Sequence, residues 1–248
     1  LLNKDVTVDV PSVIPPVVLN AIINAGNEVN FVDNVSWVGD SYVLHSFDDY
    51  RVHDSAQKVE KNQFKEEADP QDLMFFSFYP TKPVGGIDGG MIVSDDYDKI
   101  AYFKEAVLNG MSYADNNWER KIKFPGWKMY LNSFQAYVAY ENFKKLPAKM
   151  KRLQEVRAIY NESLGYDNTS SHLYRIVVKD NKSKMKELKE KGITTGIHYE
   201  ATHLNPVYNQ GNKFACPVSE AIASTTLSIP FHEKLTDKEI KHIIECVK

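Results

Sequence analysis

The chain has 248 residues, of which 43% are hydrophobic and 25% charged, and a formal net charge of −3. That balance suits a soluble globular protein of one large or two modest domains, and it gives no electrostatic reason to expect nucleic acid or an anionic membrane as partner. Two cysteines, Cys216 and Cys246, do not make a disulfide framework, so a reducing cytoplasm is the expected location. The most apolar stretch, Val13–Ile23, contains Pro15, Pro16 and Asn20 and is too short to span a membrane. No signal peptide is visible.

In chain order, Asp5–Val10 alternates like a strand that Pro11 ends. Pro15-Pro16 opens a helix over Val17–Ala25, with Gly26 past its C-terminus. Glu28–Asp33 reads as a second strand, and this strand–helix–strand order predicts parallel pairing. His53-Asp54-Ser55-Ala56-Gln57 follows an apolar-leaning run and has the look of a strand end. Lys58–Asp72 is polar and reads as a loop. Met74–Tyr79 is an aromatic strand that breaks at Pro80 and leaves Lys82 on the turn beyond. Gly85-Gly86-Ile87-Asp88-Gly89-Gly90 lacks the spacing of a phosphate-binding loop and reads as a tight turn into the strand Met91–Ser94.

Asp98–Asn109 predicts a helix, and Gly110–Pro125 a loop with Trp118, Glu119 and Arg120. Asn132 stands at the N-cap of a helix over Ser133–Leu146. Pro147 then marks a boundary, followed by a charged amphipathic helix, Ala148–Leu164, ending at Gly165. A strand (Leu173–Val178), a helix (Lys182–Lys191) and a strand (Thr194–Tyr199) come next. Leu227–Pro230 precedes a last helix capped at Thr236, with Glu239 completing a capping box. His198 and His203 hint at a metal pair, but no cysteine or carboxylate completes a ligand set, so structural or substrate-lining histidines are expected and no metal.

Asp54 and Lys82 are the residues with chemistry in prospect. A lysine in a water-poor pocket loses its proton more readily and becomes a nucleophile that forms Schiff bases with carbonyls. An aspartate nearby can pair with a protonated pyridine nitrogen, which keeps the ring an electron sink. The plain alternative is a surface lysine on a turn and an aspartate at a strand end.

The run SFYPTK (Ser77–Lys82), a glycine-containing turn and an apolar strand, all after the D-x-A-Q element at Asp54–Gln57, resembles the DegT/DnrJ/EryC1/StrS family of sugar aminotransferases. Val10-Pro11-Ser12, Asn20-Ala21-Ile22, Ala25-Gly26 and Phe31-Val32-Asp33 extend the likeness. So do Gly126-Trp127-Lys128-Met129-Tyr130 through Gln135-Ala136, and Gly196-Ile197-His198-Tyr199 with Leu227-Ser228-Ile229-Pro230. The resemblance implies that Lys82 carries pyridoxal 5′-phosphate (PLP) as a Schiff base. It implies that Asp54 faces the pyridine nitrogen, Gln57 the ring hydroxyl, and Ser77 the phosphate. Lys128 would reach the phosphate in a neighbouring subunit, which makes a homodimer with shared active sites the expected assembly.

The implied fold is α/β of the aspartate-aminotransferase type (PLP fold type I). A mostly parallel sheet in a three-layer large domain, residues 1–147, would be followed by a small α+β domain, residues 148–248. The implied reaction moves an amino group from an amino-acid donor, glutamate, to a nucleotide-linked keto-sugar. Departures accompany the match. Pro15 stands near the place of an aromatic that stacks on the cofactor ring, only Asn34 to His53 intervene between the F-V-D segment and the aspartate motif, Tyr130 replaces the usual Asn or Arg, and a Gly-Thr helix start for the phosphate is absent. These departures support one alternative, a trimmed, non-catalytic homologue acting as a binding or scaffold protein; the family resemblance also leaves a neighbouring reading, a PLP-dependent sugar dehydratase, against which Lys82 speaks.

Overall fold

The computed structural model describes residues 5–113, 119–209, 211 and 213–248. Along the chain run β1 (Thr7–Pro11), α1 (Pro16–Asn24), β2 (Glu28–Val32), β3 (Tyr42–Ser46), β4 (Arg51–Asp54), α2 (Gln63–Glu67), β5 (Leu73–Ser77), β6 (Gly90–Val93) and α3 (Tyr97–Ala106). There follow β7 (Met111–Tyr113), β8 (Arg120–Ile122), α4 (Ser133–Leu164), β9 (Tyr174–Val177), α5 (Asn181–Glu190), α6 (Pro206–Asn209), α7 (Pro217–Thr225), β10 (Thr226–Ile229) and α8 (Asp237–Val247). The chain groups into two units: Leu1–Asp40 with Pro147–Lys248, and Ser41–Leu146.

The unit Ser41–Leu146 is built on a four-stranded sheet in the order β3-β4-β5-β6. Only β4 and β5 pair in parallel, so the expected mostly parallel sheet is a mixed one here. Connection length gives the reason. Residues 47–50 allow only a hairpin between β3 and β4, while the segment between β4 and β5 carries α2 and is long enough for a parallel crossover. Residues 78–89 hold no crossover helix, so β6 returns antiparallel to β5. Tyr50, Leu73 and Phe103 form a core against Phe47, Val52, Phe75 and Ile92, joining α3 to the sheet. Asp96 caps α3 by accepting from the Lys99 amide at 3.0 Å.

In the other unit, β1 and β2 pair in parallel, as the strand–helix–strand order predicts. Pro16 occupies the first turn of α1, and Gly26 takes a positive φ of 83° just past its end. β9 and β10 pair antiparallel. Their inner residues Tyr174, Ile176, Leu227 and Ile229 pack with Val156, Tyr160, Leu188 and Ile240 from three helices. The capping box of α8 is present: Thr236 Oγ1 accepts from the Glu239 amide, and Glu239 Oε2 accepts from the Thr236 amide.

Several local expectations are corrected. Pro147 lies inside the continuous 32-residue α4 rather than between two helices. A proline there forfeits one backbone bond at a cost of roughly 3 kcal/mol, a cost that packing of the buried Leu153, Val156 and Tyr160 offsets. The stretch expected as a loop at 58–72 contains α2. The predicted strand at Thr194–Tyr199 reduces to one bridge, Gly196 to Ser228. Gly110–Pro125 is not simply a loop, since β7 and β8 pair antiparallel; Trp118 lies outside the described residues. β3 and α7 have no counterpart in the sequence reading.

Candidate active site

Asp54, Gln57, Ser77, Lys82 and Lys128 all belong to the unit Ser41–Leu146. Register explains how the first strand ends meet. Asp54 closes β4 and pairs with Phe75 of β5 on one side and Tyr42 of β3 on the other. Paired residues share a face, and so do residues two apart on a strand. Tyr42, Asp54, Phe75 and Ser77 therefore stand on one face across three strands.

Beyond the strand ends, short polar turns fix the side chains. Asp54 Oδ1 accepts from the Ala56 amide at 2.9 Å, an Asx turn that starts the loop to Gln57. Ser77 Oγ accepts from the Tyr79 amide at 3.2 Å, the hydroxyl version of the same device. Tyr79-Pro80-Thr81-Lys82 is a β-turn: the Lys82 amide donates to the Tyr79 carbonyl at 2.9 Å, with Pro80 at the second position, where its fixed φ is favourable. Gly85 (φ +64°) brings the chain back. A Cβ there would sit 2.8 Å from the Pro80 carbonyl oxygen.

The electrostatics of the pair follow from burial. Asp54 and Lys82 are both half-buried. Burial raises the Asp54 pKa above the ordinary carboxylate value, against the pull of the Ala56 amide, the Lys82 charge and the Tyr42 hydroxyl. Burial lowers the Lys82 pKa, and the Asp54 charge only partly restores it. The charged forms of both groups are thus less favourable than in water, although each supports the other's charge. Such a lysine is closer to its nucleophilic form, and such a carboxylate has reason to take a cationic partner.

Two supporting residues carry no sequence signal. Tyr42 donates its hydroxyl to Asp54 Oδ2 at 3.3 Å. Gln63 of α2 is buried and donates to Ser55 Oγ at 2.6 Å, while Ser55 donates to Ser41 Oγ at 2.6 Å. Ser55 and Gln63 thereby tie the loop after Asp54 to α2. Gln57 is buried within this loop, with 4% of its surface exposed. Neither Tyr42 nor Gln63 is adjacent in sequence to the residues it supports, and hydrogen-bond partners of that kind have no local pattern.

Behind Asp54, on the opposite face of β4, His53 is buried against Asp72. Asp72 accepts from the Arg51 amide at 2.7 Å, Arg51 Nε at 2.8 Å, the Asp69 amide at 2.9 Å and His53 Nε2 at 3.0 Å. Burial alone would raise its pKa, but these donors hold it well below the usual carboxylate range. The network pins β4 to the segment entering β5.

Lys128 is placed apart from this cluster. It pairs with Leu108 in an isolated bridge and lines a cavity of about 500 Å³ with Lys104, Asn109, Arg120 and Tyr130. None of Asp54, Gln57, Ser77 and Lys82 lines it. In the other unit, His203 bridges Ser12 Oγ (2.5 Å) and Glu220 Oε1 (3.2 Å), and His198 Nδ1 meets Ser228 Oγ at 2.9 Å. These are side-chain hydrogen bonds, and among the described residues no group of three His, Cys, Asp or Glu is arranged for a metal. No described helix is long and apolar enough to cross a membrane, and both cysteines are free.

The chain belongs to the DegT/DnrJ/EryC1/StrS aminotransferase family, whose sequence model matches residues 52–248. It is similar to an uncharacterised protein of Methanocaldococcus jannaschii, with 26% identity over 83% of this chain and 61% of that one. It is likewise similar to the UDP-4-amino-4,6-dideoxy-N-acetyl-beta-L-altrosamine transaminase of Campylobacter jejuni, with 24% identity over 88% of this chain and 61% of the relative. A Streptococcus pneumoniae protein solved in its PLP form shares the fold, with a TM-score of 0.76 at 18% identity over 98% of this chain and 79% of that one. The chain spans 50–61% of the length of the curated relatives it matches.

PLP is the cofactor of this family, and the donor set fits it. A lysine with a lowered pKa and a half-buried carboxylate lie within electrostatic reach, and a serine at the adjacent strand end has its oxygen fixed by a backbone amide.

Proposed function

We propose that this chain is the core of a PLP-dependent aminotransferase that moves an amino group from an amino-acid donor, glutamate, to a nucleotide-linked keto-sugar. The observation that carries the reading is the mutual placement of Asp54 and Lys82, half-buried with opposed pKa shifts, inside a segment that the family matches. The named relative from Campylobacter jejuni, a transaminase of a UDP-linked amino-sugar, supports the substrate class. An aspartate-aminotransferase type of layout, with a cofactor part over residues 1–147 and a smaller one over 148–248, belongs to the same proposal.

PLP, when bound, supplies an electron sink for the transfer. The remaining roles are those of side chains. Lys82 would hold the cofactor through Nζ and would take and return a proton at the same atom, a task its lowered pKa suits. Asp54 keeps the ring nitrogen protonated, because its charge in a half-buried site is best met by a cation. Tyr42 and the Ala56 amide orient that carboxylate. Gln57 and Ser77 bind the ring hydroxyl and the phosphate.

Lys128 serves the phosphate across a subunit interface in this reading, which accounts for its separation from the cluster. A homodimer follows, of closed twofold symmetry. In support, α4 leaves Phe134, Tyr137 and Tyr140 at least 60% exposed, a large aromatic surface for water to cover. Sedimentation at micromolar concentration should show a dimer; a monomer throughout would remove Lys128 from the site. The substrate class is tested by offering PLP-loaded protein a panel of nucleotide-linked keto-sugars beside simple α-keto acids. Amino transfer to the sugars is expected, and turnover of keto acids alone would contradict the proposal.

A further inference from the structure

A cavity of about 440 Å³ lies in the unit formed by Leu1–Asp40 and Pro147–Lys248, lined among others by Asp40, Asp167, Asn168, Ser170, Arg175 and Thr226. Its volume falls in the range of small-molecule sites, about 300–1,000 Å³.

Arg175 is the unusual member. β9 alternates, and Tyr174 and Ile176 enter the core at 0% and 1% exposure, which puts Arg175 on the other face, half-buried in the cavity wall. A guanidinium carries five N–H donors. The one hydrogen bond that the Arg175 guanidinium makes among the described residues is a long one, 3.4 Å from Nη2 to the Val38 carbonyl. Other arginines of the chain are better met. Arg51 reaches Asp69 and Asp72 at 2.7 Å, Arg152 reaches Asp237 at 2.8 Å, and Arg157 donates to oxygens of Thr169, Ser170 and Ser171. Burial lowers the Arg175 pKa, with Tyr199 nearby acting the other way. A half-buried guanidinium with donors to spare is costly unless an anion meets it.

The rest of the lining narrows the class of ligand. Asp40 and Asp167 are exposed and line the same cavity. A simple anion at Arg175 would face two carboxylates, and a simple cation at the carboxylates would face the guanidinium. A small molecule with both charges satisfies both. We propose that this cavity binds a free α-amino acid, with its carboxylate on the Arg175 guanidinium and its ammonium toward Asp40 and Asp167. The forked donors of Arg175 match a carboxylate in two-point fashion, which a lysine could not reproduce. The proposal does not rest on the aminotransferase reading, since none of its residues belongs to the Lys82 cluster.

The test uses the full chain carrying Lys82→Ala, so that amino-acid binding through Lys82 does not contribute. Ligand-observed NMR titrations compare L-alanine with propionate, which lacks the ammonium, and ethylamine, which lacks the carboxylate. Alanine is expected to bind at least tenfold more tightly than either. Arg175→Gln should weaken alanine at least tenfold, and Arg175→Lys should weaken it by a smaller factor. Asp167→Asn should weaken alanine and tighten propionate, which then faces one carboxylate fewer. A circular-dichroism melt establishes that each variant is folded; if Arg175→Gln is not, the Arg175→Lys and Asp167→Asn results decide. Absence of saturable alanine binding, equal binding of ethylamine, or binding unaffected in the folded arginine variants would overturn the proposal.

Discussion

The Tyr42 hydroxyl donates to Asp54 Oδ2 at 3.3 Å, between residues that face each other across the β3–β4 pairing. The strand register, and not a loop, sets this contact, so the carboxylate is oriented by the same backbone ladder that builds the sheet. Tyr42→Phe removes the donor and leaves the ring. A hydrogen bond of this length contributes about 1 kcal/mol, which is roughly a fivefold loss in affinity. Titrating cofactor-free protein with PLP and following the visible band should show that loss, with the thermal midpoint little changed. An unaltered affinity would mean that Tyr42 does not orient Asp54.

Asp72 is the structural anchor behind the site, with 1% of its side chain exposed and four donors aimed at it. Asp72→Asn should destabilise the protein by about 1–3 kcal/mol, because the donors aimed at this buried carboxylate lose their charged acceptor, while Arg51, 36% exposed, keeps Asp69 at 2.7 Å. The pH dependence has a definite sign. A carboxylate whose folded pKa is lowered stabilises the fold above its unfolded value, about 3.9, and that contribution is lost as pH falls toward the depressed value. The gap between parent and variant in urea unfolding should be full at neutral pH and should shrink below about pH 4. A gap independent of pH would contradict the assignment.

How much of this was legible in the sequence depends on the range of the interaction. β1, α1 and β2 announce themselves through alternation, Pro16 at a helix start and Gly26 at its end. The α8 capping box is likewise local, with Thr236 and Glu239 three residues apart. At the site, Asp54 and Lys82 could be singled out because their chemical types and the turn at Pro80 are visible locally. Their mutual charge effect depends on strands β4 and β5 lying side by side, and no local pattern encodes that. Tyr42 and Gln63 were missed for the same reason. Pro147 misled because helix propensity is local, whereas the packing of Leu153, Val156 and Tyr160 that carries α4 through it is not. The sheet was expected to be mostly parallel because the family resemblance implied it; the tight turn at Gly85–Gly90 was legible and already calls for an antiparallel β6, whereas β3, antiparallel to β4, carried no local signal.

Lys82 itself should show its lowered pKa. An amine reacts with acylating reagents only when neutral, so a lysine with a lowered pKa is labelled at lower pH than an ordinary one, whose pKa is about 10.4. Pulse labelling of cofactor-free protein from pH 6 to 10, read by peptide mass spectrometry, should give Lys82 an inflection below that value. In the Asp54→Asn variant the inflection should move lower still, because the charge that favours the ammonium is gone. An inflection at the ordinary value, or an upward move in the variant, would show that burial does not dominate at Lys82.

The central claim is that Lys82 is the residue that holds PLP, and it is tested most directly by locating the bond. Protein incubated with excess PLP, reduced with borohydride and digested should carry the pyridoxyl mass increment on the peptide containing Lys82. Lys82→Ala should abolish that modification along with the visible absorption, whereas Lys58→Ala, which removes a lysine paired with Glu67 at 2.9 Å, should leave both intact. An increment found on another lysine, or none at saturating PLP in the unmutated protein, would contradict the account and favour a non-catalytic binding role for the chain.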